Sequence, residues 1–373
     1  MPEILILGAS YTGIPAAHRF LRALPDHKVT LVNPSTDLYW NPAAPRAIAK
    51  DHAFSENNDG LFEPFLPAFD AYPKERFEFI QGTATALDPV AKTVTVLADR
   101  EIVLNYDHLV ITTGARTIGD TPFKQLGTTE ETRKALAEYQ QKIQAAKTIV
   151  LSGAGPTGVE TTGEIATLFK GQGKKIYLLD PSEGPLPMLK ESVREEARKQ
   201  LESLGVTVLM KTSVTKEADG KLELSNGQVI EADLHIPTYG LIPNTKFVPK
   251  EMLDNTRSVK VDKHMRSIEY PNIWAAGDVA SVKIKSLLSA TPMLDAMTAN
   301  FISVAQGGEV VKEYKDDMTP MVVPIGGGFA MGTGQMFGWR VLGLLVWLVK
   351  GRSYFIGKAK STALAKEITG GKV

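Results

Sequence analysis

Two sets of three small residues stand at the spacing a chain uses to hold a diphosphate. The first is Gly8, Ser10 and Gly13; the second is Gly153, Gly155 and Gly158. In the full G-x-G-x-x-G pattern the first glycine makes a tight turn and the second lets the backbone approach a diphosphate. The third lets a helix close against a strand. Each set is followed, at the end of the next apolar run, by a side chain able to meet a ribose hydroxyl: Asn33 after the first, Asp180 after the second. The second set is complete. Asp180 would accept hydrogen bonds from ribose hydroxyls and repel a 2′-phosphate, so this set reads as a site for NADH, with NADPH disfavoured. The first set departs from the pattern twice. The Ser10 hydroxyl could donate to a phosphate oxygen, and the helix start behind it still presents backbone N–H groups to an anion. Asn33 can accept through its carbonyl oxygen but carries no charge, which weakens its grip on a ribose. Glu160 lies two residues after the last glycine of the second set, where the helix dipole favours a carboxylate whatever its role.

The surrounding residues supply the elements these groups need. "EILILGASYTGIPAAHRFLRAL" reads as a buried strand, a tight turn and an amphipathic helix, and "HKVTLVNPS" as the next strand. "KTIVLSGAGPTGVETTGEIATLF" and "KKIYLLDPSEG" repeat the arrangement. Each is a βαβ unit of roughly 30 residues, the context in which the glycine spacing acquires meaning. "ESVREEARKQLESLGVTVLM" adds a charged, solvated helix and a further strand to the second unit.

Composition removes several chemistries. The 373 residues suggest two or three domains. Lysine plus arginine equals aspartate plus glutamate, 42 of each, which argues against a nucleic-acid partner. There is no cysteine, so disulfides, thiolate zinc sites and redox-active cysteine pairs are excluded. Redox chemistry must come from a bound cofactor. The six histidines show no metal spacing, and no metal is expected. The chain opens directly on a strand with no signal or transit pattern, so a cytoplasmic location is expected.

Four stretches carry a family resemblance. "YDHLVITTGART" ends a strand in Thr113 and Gly114, and "YPNIWAAGDVAS" ends one in Gly277 and Asp278. "EADLHIPTYGLIPNT" carries Gly240, and "GAGPTGVETTGEI" carries Glu160. In this order, with both glycine sets, they resemble the two-dinucleotide-domain flavoproteins of the pyridine-nucleotide-disulfide oxidoreductase superfamily. The branch most resembled is apoptosis-inducing-factor-like and includes the ferroptosis suppressor proteins. The resemblance implies that the first unit holds FAD and the second NADH. It places Asp278 at the ribityl and diphosphate region of FAD. It places Arg46, in "YWNPAAPRAIA", near the FAD, and the backbone at Ala84, in "FEFIQGTATALDP", at the adenine. It turns Glu160 toward the nicotinamide. Thr113 and Tyr239 depart from the usual residues of the two crossover motifs, and "SATPMLDAMTAN" stands where type II NADH dehydrogenases carry an Ala-Gln quinone motif.

The expected fold is therefore α/β: two Rossmann-like dinucleotide-binding domains, a split FAD domain with an inserted NAD domain, and a small C-terminal cap. The expected division is FAD domain 1–120, NAD(H) domain 121–250, FAD domain again 251–320 and cap 321–373. The expected activity is an FAD-dependent NADH oxidoreductase passing electrons to a quinone or similar small acceptor. A slow-turnover flavin sensor and an oxidoreductase acting on one secondary metabolite remain open. "VLGLLVWLV", 341–349, is too short to span a bilayer, which needs about 20 residues. With Arg340, Lys350, Arg352 and the aromatic residues between 337 and 355, it reads as a helix lying on a membrane surface. The protein's own core or a homodimer partner are the alternatives for its apolar face.

Overall fold

A computed structural model gives the architecture and describes residues 1–50, 60–317 and 320–366. The last residues of the expected cap, 367–373, lie outside those described. Two parallel sheets form the frame. In the first, the strands run in the order Ile273–Ala275, His108–Ile111, Glu3–Leu7, Lys28–Asn33 and Phe77–Gln81. In the second, the order is Thr207–Met210, Lys175–Asp180, Thr148–Ser152 and Leu234–Pro237. The central strands are apolar on both faces: Ile4 to Leu7 and Ile149 to Leu151 are all buried. Only a sheet covered on both sides can bury such runs, which is why helices and hairpins pack on each face. On the first sheet the helices Gly13–Ala23 and Leu287–Ala305 meet through Phe20 and Phe301, ring centroids 4.2 Å apart.

Both units carry a three-stranded antiparallel sheet inserted before their last crossover. In the first it is Thr83–Asp88, Thr93–Leu97 and Glu101–Asn105; in the second, Val214–Ala218, Lys221–Leu224 and Val229–Glu231. The two crossovers then pair with each other. Ala115–Thr117 runs antiparallel to Leu241–Pro243, joining the units with backbone hydrogen bonds.

The C-terminal segment differs from its sequence expectation. Residues 341–349 are not helical throughout. A small antiparallel sheet, Met321–Val323, Thr333–Met336 and Trp339–Val341, is followed by a single helical turn, Gly343–Val346, and a wider π-type turn, Trp347–Gly351. Close packing marks where these turns begin. A Cβ at Gly343 would lie 2.0 Å from the Ala330 carbonyl oxygen, so the chain must enter the turn pressed against another backbone segment. Val341, Val346 and Tyr354 are buried, whereas Phe337, Trp339, Leu342, Leu344, Leu345, Leu348 and Val349 are exposed. Among the described residues no helix is long and apolar enough to cross a membrane.

Candidate functional site

The two glycine turns are built alike, bond for bond. Gly8 has φ +99° and donates to the Val32 carbonyl at 2.8 Å; Gly153 has φ +104° and donates to Leu179 at 2.8 Å. Any side chain is strained there, which fixes glycine at both positions. A Cβ on Gly13 would stand 1.8 Å from the Gly8 carbonyl oxygen, and one on Gly158 stands 1.8 Å from that of Gly153. The third glycine is therefore required by the turn itself. The middle position is different. Nothing lies within 4 Å of a Cβ built on Gly155. The protein fold tolerates a side chain there, so Ser10 at the matching place costs the turn nothing; only a bound diphosphate would feel it.

The strand-end residues brace these turns. Asn33 Oδ1 accepts from the Ala9 N–H at 2.9 Å, and Asp180 Oδ2 accepts from the Ala154 N–H at 2.6 Å. Asn33 also donates to the Ser35 carbonyl, and Asp180 also accepts from the Ser182 N–H. A carboxylate offers about four lone-pair sites, so Asp180 keeps capacity for ribose hydroxyls beyond these two bonds. Two further bracing residues escaped the sequence reading. Thr112 Oγ1 donates toward the Leu7 and Gly8 carbonyls, and Thr238 Oγ1 toward those of Ser152 and Gly153. The signal was present: each threonine lies two residues ahead of a crossover glycine, Gly114 or Gly240. Thr113 instead donates to the Asn244 carbonyl, and Asn244 returns a bond to the Thr113 carbonyl, so this residue ties the two crossovers together.

A single cavity of about 1300 Å³ joins the two units. Gly8, Ser10, Asn33, Ala84, Thr113, Gly114, Gly277 and Asp278 line it from the first unit. Gly155, Glu160 and Gly240 line it from the second, with the half-exposed Tyr239 beside them. Lys350 and Phe355 close it from the C-terminal segment. Gly13, Gly153, Gly158 and Asp180 lie behind this surface and shape or brace the turns. The volume exceeds the roughly 300–1,000 Å³ of an ordinary small-ligand pocket, and the cavity touches both diphosphate turns. The open space at Gly155 and Gly114 leaves the close backbone approach that a dinucleotide needs.

Ionic partners give the cavity its electrostatics. Glu160 is buried and accepts from Lys350 Nζ at 2.6 Å. Burial pushes its carboxyl above the usual range, and the Lys350 ammonium opposes that rise without cancelling it. Asp278 accepts from Lys124 Nζ at 2.8 Å. Burial pushes this carboxyl up, but Lys124, with Lys285 farther off, outweighs it and holds the group below its ordinary value. Neither lysine partner was legible in the sequence, because each lies far from its carboxylate along the chain.

Arg46 makes contacts that the sequence did not foretell. It does not line the cavity. Its guanidinium makes two bonds to Glu164, at 2.9 and 3.1 Å, and donates to the Gly351 and Arg352 carbonyls. It also lies 4.7 Å from the Tyr354 ring centroid, while the Tyr354 hydroxyl donates to Glu164. Arg46 thus fastens the first unit to the second-unit helix and to the C-terminal segment. A bidentate carboxylate on one side and two carbonyls on the other occupy its fork.

Comparison with known proteins decides the family. Residues 2–293 match the family described as pyridine nucleotide-disulphide oxidoreductase. The chain belongs to that family. It is 37% identical to oxidoreductase ptaL of Pestalotiopsis fici, over 93% of this chain and 94% of that one. It is 25% identical to ferroptosis suppressor protein 1 of Homo sapiens, over 96% and 95%. Among solved structures, the sulfide:quinone oxidoreductase of Aquifex aeolicus superposes with TM-score 0.76 at 16% identity, covering 98% of this chain and 93% of that one. The NAD-dependent persulfide reductase of A. fulgidus gives 0.69 at 21% identity; 89% of this chain matches 63% of that enzyme, so this chain spans under two thirds of its length. These structural likenesses support the two-unit fold. As a member of this family the protein is an FAD-dependent pyridine-nucleotide oxidoreductase, and it has no cysteine to form the disulphide of the family's description.

Proposed function

We propose that the protein oxidises NADH through FAD and delivers the electrons to a quinone-like acceptor. The observation that carries this reading is the one cavity shared by both glycine turns, since hydride transfer requires donor and acceptor rings to meet. FAD would lie along Gly8–Thr12, Asn33, Ala84 and Asp278, and NADH along Gly155–Glu160 with its adenosine end at Asp180. Bound there, FAD supplies the two-electron chemistry that the side chains lack. The side chains bind and orient. Glu160, on the wall between the two turns, would hold the nicotinamide end. Asp180 would disfavour NADPH, since a carboxylate at the ribose repels a 2′-phosphate. Leu287, Leu288, Met321 and Phe355 give the cavity an apolar stretch of wall suited to a quinone ring. The exposed apolar residues between 337 and 349 would rest on a lipid surface, bringing the cavity near a membrane-dissolved acceptor.

The net reaction is NADH, a proton and a quinone giving NAD⁺ and a quinol. The test is stopped-flow reduction of the FAD-loaded protein, first by NADH or NADPH without oxygen, then reoxidation by short-chain quinones or oxygen. NADH should bleach the flavin faster than NADPH, and a quinone should restore it faster than oxygen does. A protein that retains no flavin after folding with excess FAD overturns the cofactor assignment. Reduction by NADH with no quinone reoxidation overturns the acceptor alone. In that case an acceptor specific to one metabolic route becomes the better reading, as the similarity to ptaL, whose name specifies no acceptor, would suit.

A further inference from the structure

The FAD half of the cavity has lost an acid at Asn33 and a glycine at Ser10, yet two lysines stand near the carboxylate of Asp278. Lys124 and Lys285 both line the cavity with Asp278. Lys124 pairs with Asp278. Lys285 Nζ donates to the Ser258 hydroxyl at 2.8 Å and meets no carboxylate within ion-pair distance among the described residues. Burial pulls the Lys285 ammonium below the ordinary lysine value, with Asp278 and Asp254 opposing. Among these three groups the two lysines outnumber the carboxylate.

That surplus lies against the first glycine turn. A Cβ on Gly277 would be 3.2 Å from Thr12 Oγ1, so the strand end bearing Asp278 touches the residue that begins the helix Gly13–Ala23. This helix has no side-chain cap and no acidic residue in its first turn; the Ile14 N–H bonds the Ser10 carbonyl and Pro15 has none, which leaves the Thr12 and Gly13 N–H groups to meet an anion. Its dipole adds to the positive charge. Asp278 alone would repel an anion at that place. The lysines reverse the sign.

We propose that Lys124 and Lys285 hold the diphosphate of FAD, and that this chain retains its flavin by charge on the diphosphate in place of a carboxylate grip on the ribose. The proposal rests on the FAD assignment above. Lys124 comes from the connection between the units, residues 121–128. That connection is anchored to the first unit through Tyr39, whose hydroxyl donates to the Pro122 carbonyl, and Asn41, whose amide donates to the Phe123 carbonyl. The lysine is thus carried on a fixed arm. Flavin binding should draw its ammonium from Asp278 alone into contact with both Asp278 and phosphate.

The test is titration of the flavin-free protein with FAD and with riboflavin, which lacks phosphate, across a range of salt. FAD affinity should fall with rising salt and riboflavin affinity should not. Lys124→Met should weaken FAD about 10- to 100-fold, the scale of a lost charge-assisted hydrogen bond, and flatten the salt dependence. Lys285→Met should do the same to a smaller extent, because its ammonium is farther from Asp278. Lys124→Arg should restore most of the affinity. Melting of each flavin-free variant checks that it folds. An FAD affinity within twofold of wild type in the Lys124→Met variant overturns the proposal, as does an equal loss of riboflavin, which would mark the lysine as a structural brace. Failure of wild type to bind FAD at all overturns the cofactor assignment and is distinct from either outcome.

Discussion

The Glu160–Lys350 pair makes a prediction whose size follows from the geometry. Glu160 is 4% exposed and Lys350 16%, so neither charge is solvated enough to stand alone. Lys350→Met would leave the carboxylate buried beside the Arg46–Glu164 pair, whose two charges oppose each other there, and it should take up a proton. Neutralising at pH 7 a carboxyl of ordinary value 4.5 costs about 1.36 kcal/mol per pH unit, or about 3 kcal/mol. At pH 5.5 the same step costs only about 1.4 kcal/mol. The sign follows from linkage: a carboxyl raised in the folded state binds its proton more tightly there, so stability is lost as pH rises above the unfolded value. Lys350→Met should therefore be destabilised by about 3 kcal/mol at pH 7 and by less than half of that at pH 5.5. Glu160→Gln leaves the ammonium half-satisfied by an amide oxygen and should cost less. The double variant, Glu160→Gln with Lys350→Met, removes both charges of this pair and should recover most of the loss. Thermal and urea unfolding of the four proteins at both pH values measures this. A Lys350→Met loss that is the same at both values would refute the reasoning, because it would show packing and not charge as the cause. Flavin reduction by NADH should be slowed in Glu160→Gln even where stability is recovered, which separates orientation of the nicotinamide from support of the fold.

Three other predictions follow from the same geometry. Gly155→Ala should fold normally, since its Cβ meets nothing, yet bind NADH at least about tenfold more weakly through lost approach to the diphosphate; Gly158→Ala should lose the turn and melt at lower temperature. Asp180→Asn should keep the bond from the Ala154 N–H, as Asn33 keeps that from Ala9, while narrowing the NADH-over-NADPH preference; the reverse change, Asn33→Asp, should tighten FAD, and comparison of nucleotide and flavin affinities checks both. In liposome flotation the protein should stay bound at high salt, and Leu345→Glu with Trp347→Glu should release it while flavin reduction persists; release by salt alone, or binding only as a dimer in sedimentation, would count against a lipid surface.

The parts of the fold that were legible in the sequence are those set by local rules. The strand–turn–helix units follow from apolar runs and from glycines at positions where a Cβ would overlap a carbonyl, a restriction that acts over five residues. Asp180 and Asn33 were found for the same reason, because a parallel neighbour strand brings its end beside the turn wherever a βαβ unit forms. What escaped was pairing across the chain. Lys124 meets Asp278 over 154 residues and Lys350 meets Glu160 over 190, and nothing local in a lysine's surroundings names its partner. Arg46 shows the same limit: nothing local in the sequence names Glu164 or the carbonyls at 351 and 352 as its partners.

The C-terminal segment shows how such pairing changes a functional expectation. In the sequence Arg340, Lys350 and Arg352 look like cations free to meet anionic lipid, and attachment would then weaken with salt. In the fold Arg340 pairs with Glu196 at 3.1 Å, Lys350 pairs with Glu160, and Arg352 lies 5.5 Å from the centre of the Trp347 ring. Two of the three charges are already satisfied by the protein's own carboxylates. The exposed side chains that remain, from Phe337 through Val349, are mostly apolar. Attraction to lipid must then come from burial of apolar surface, which salt does not screen and strengthens slightly where it acts at all. The same commitment of Lys350 places the exposed apolar segment one residue from the wall of the cavity: Val349 is exposed, and Lys350 reaches Glu160. An acceptor arriving from a lipid surface would therefore meet the cavity at the point where the nicotinamide is to be held.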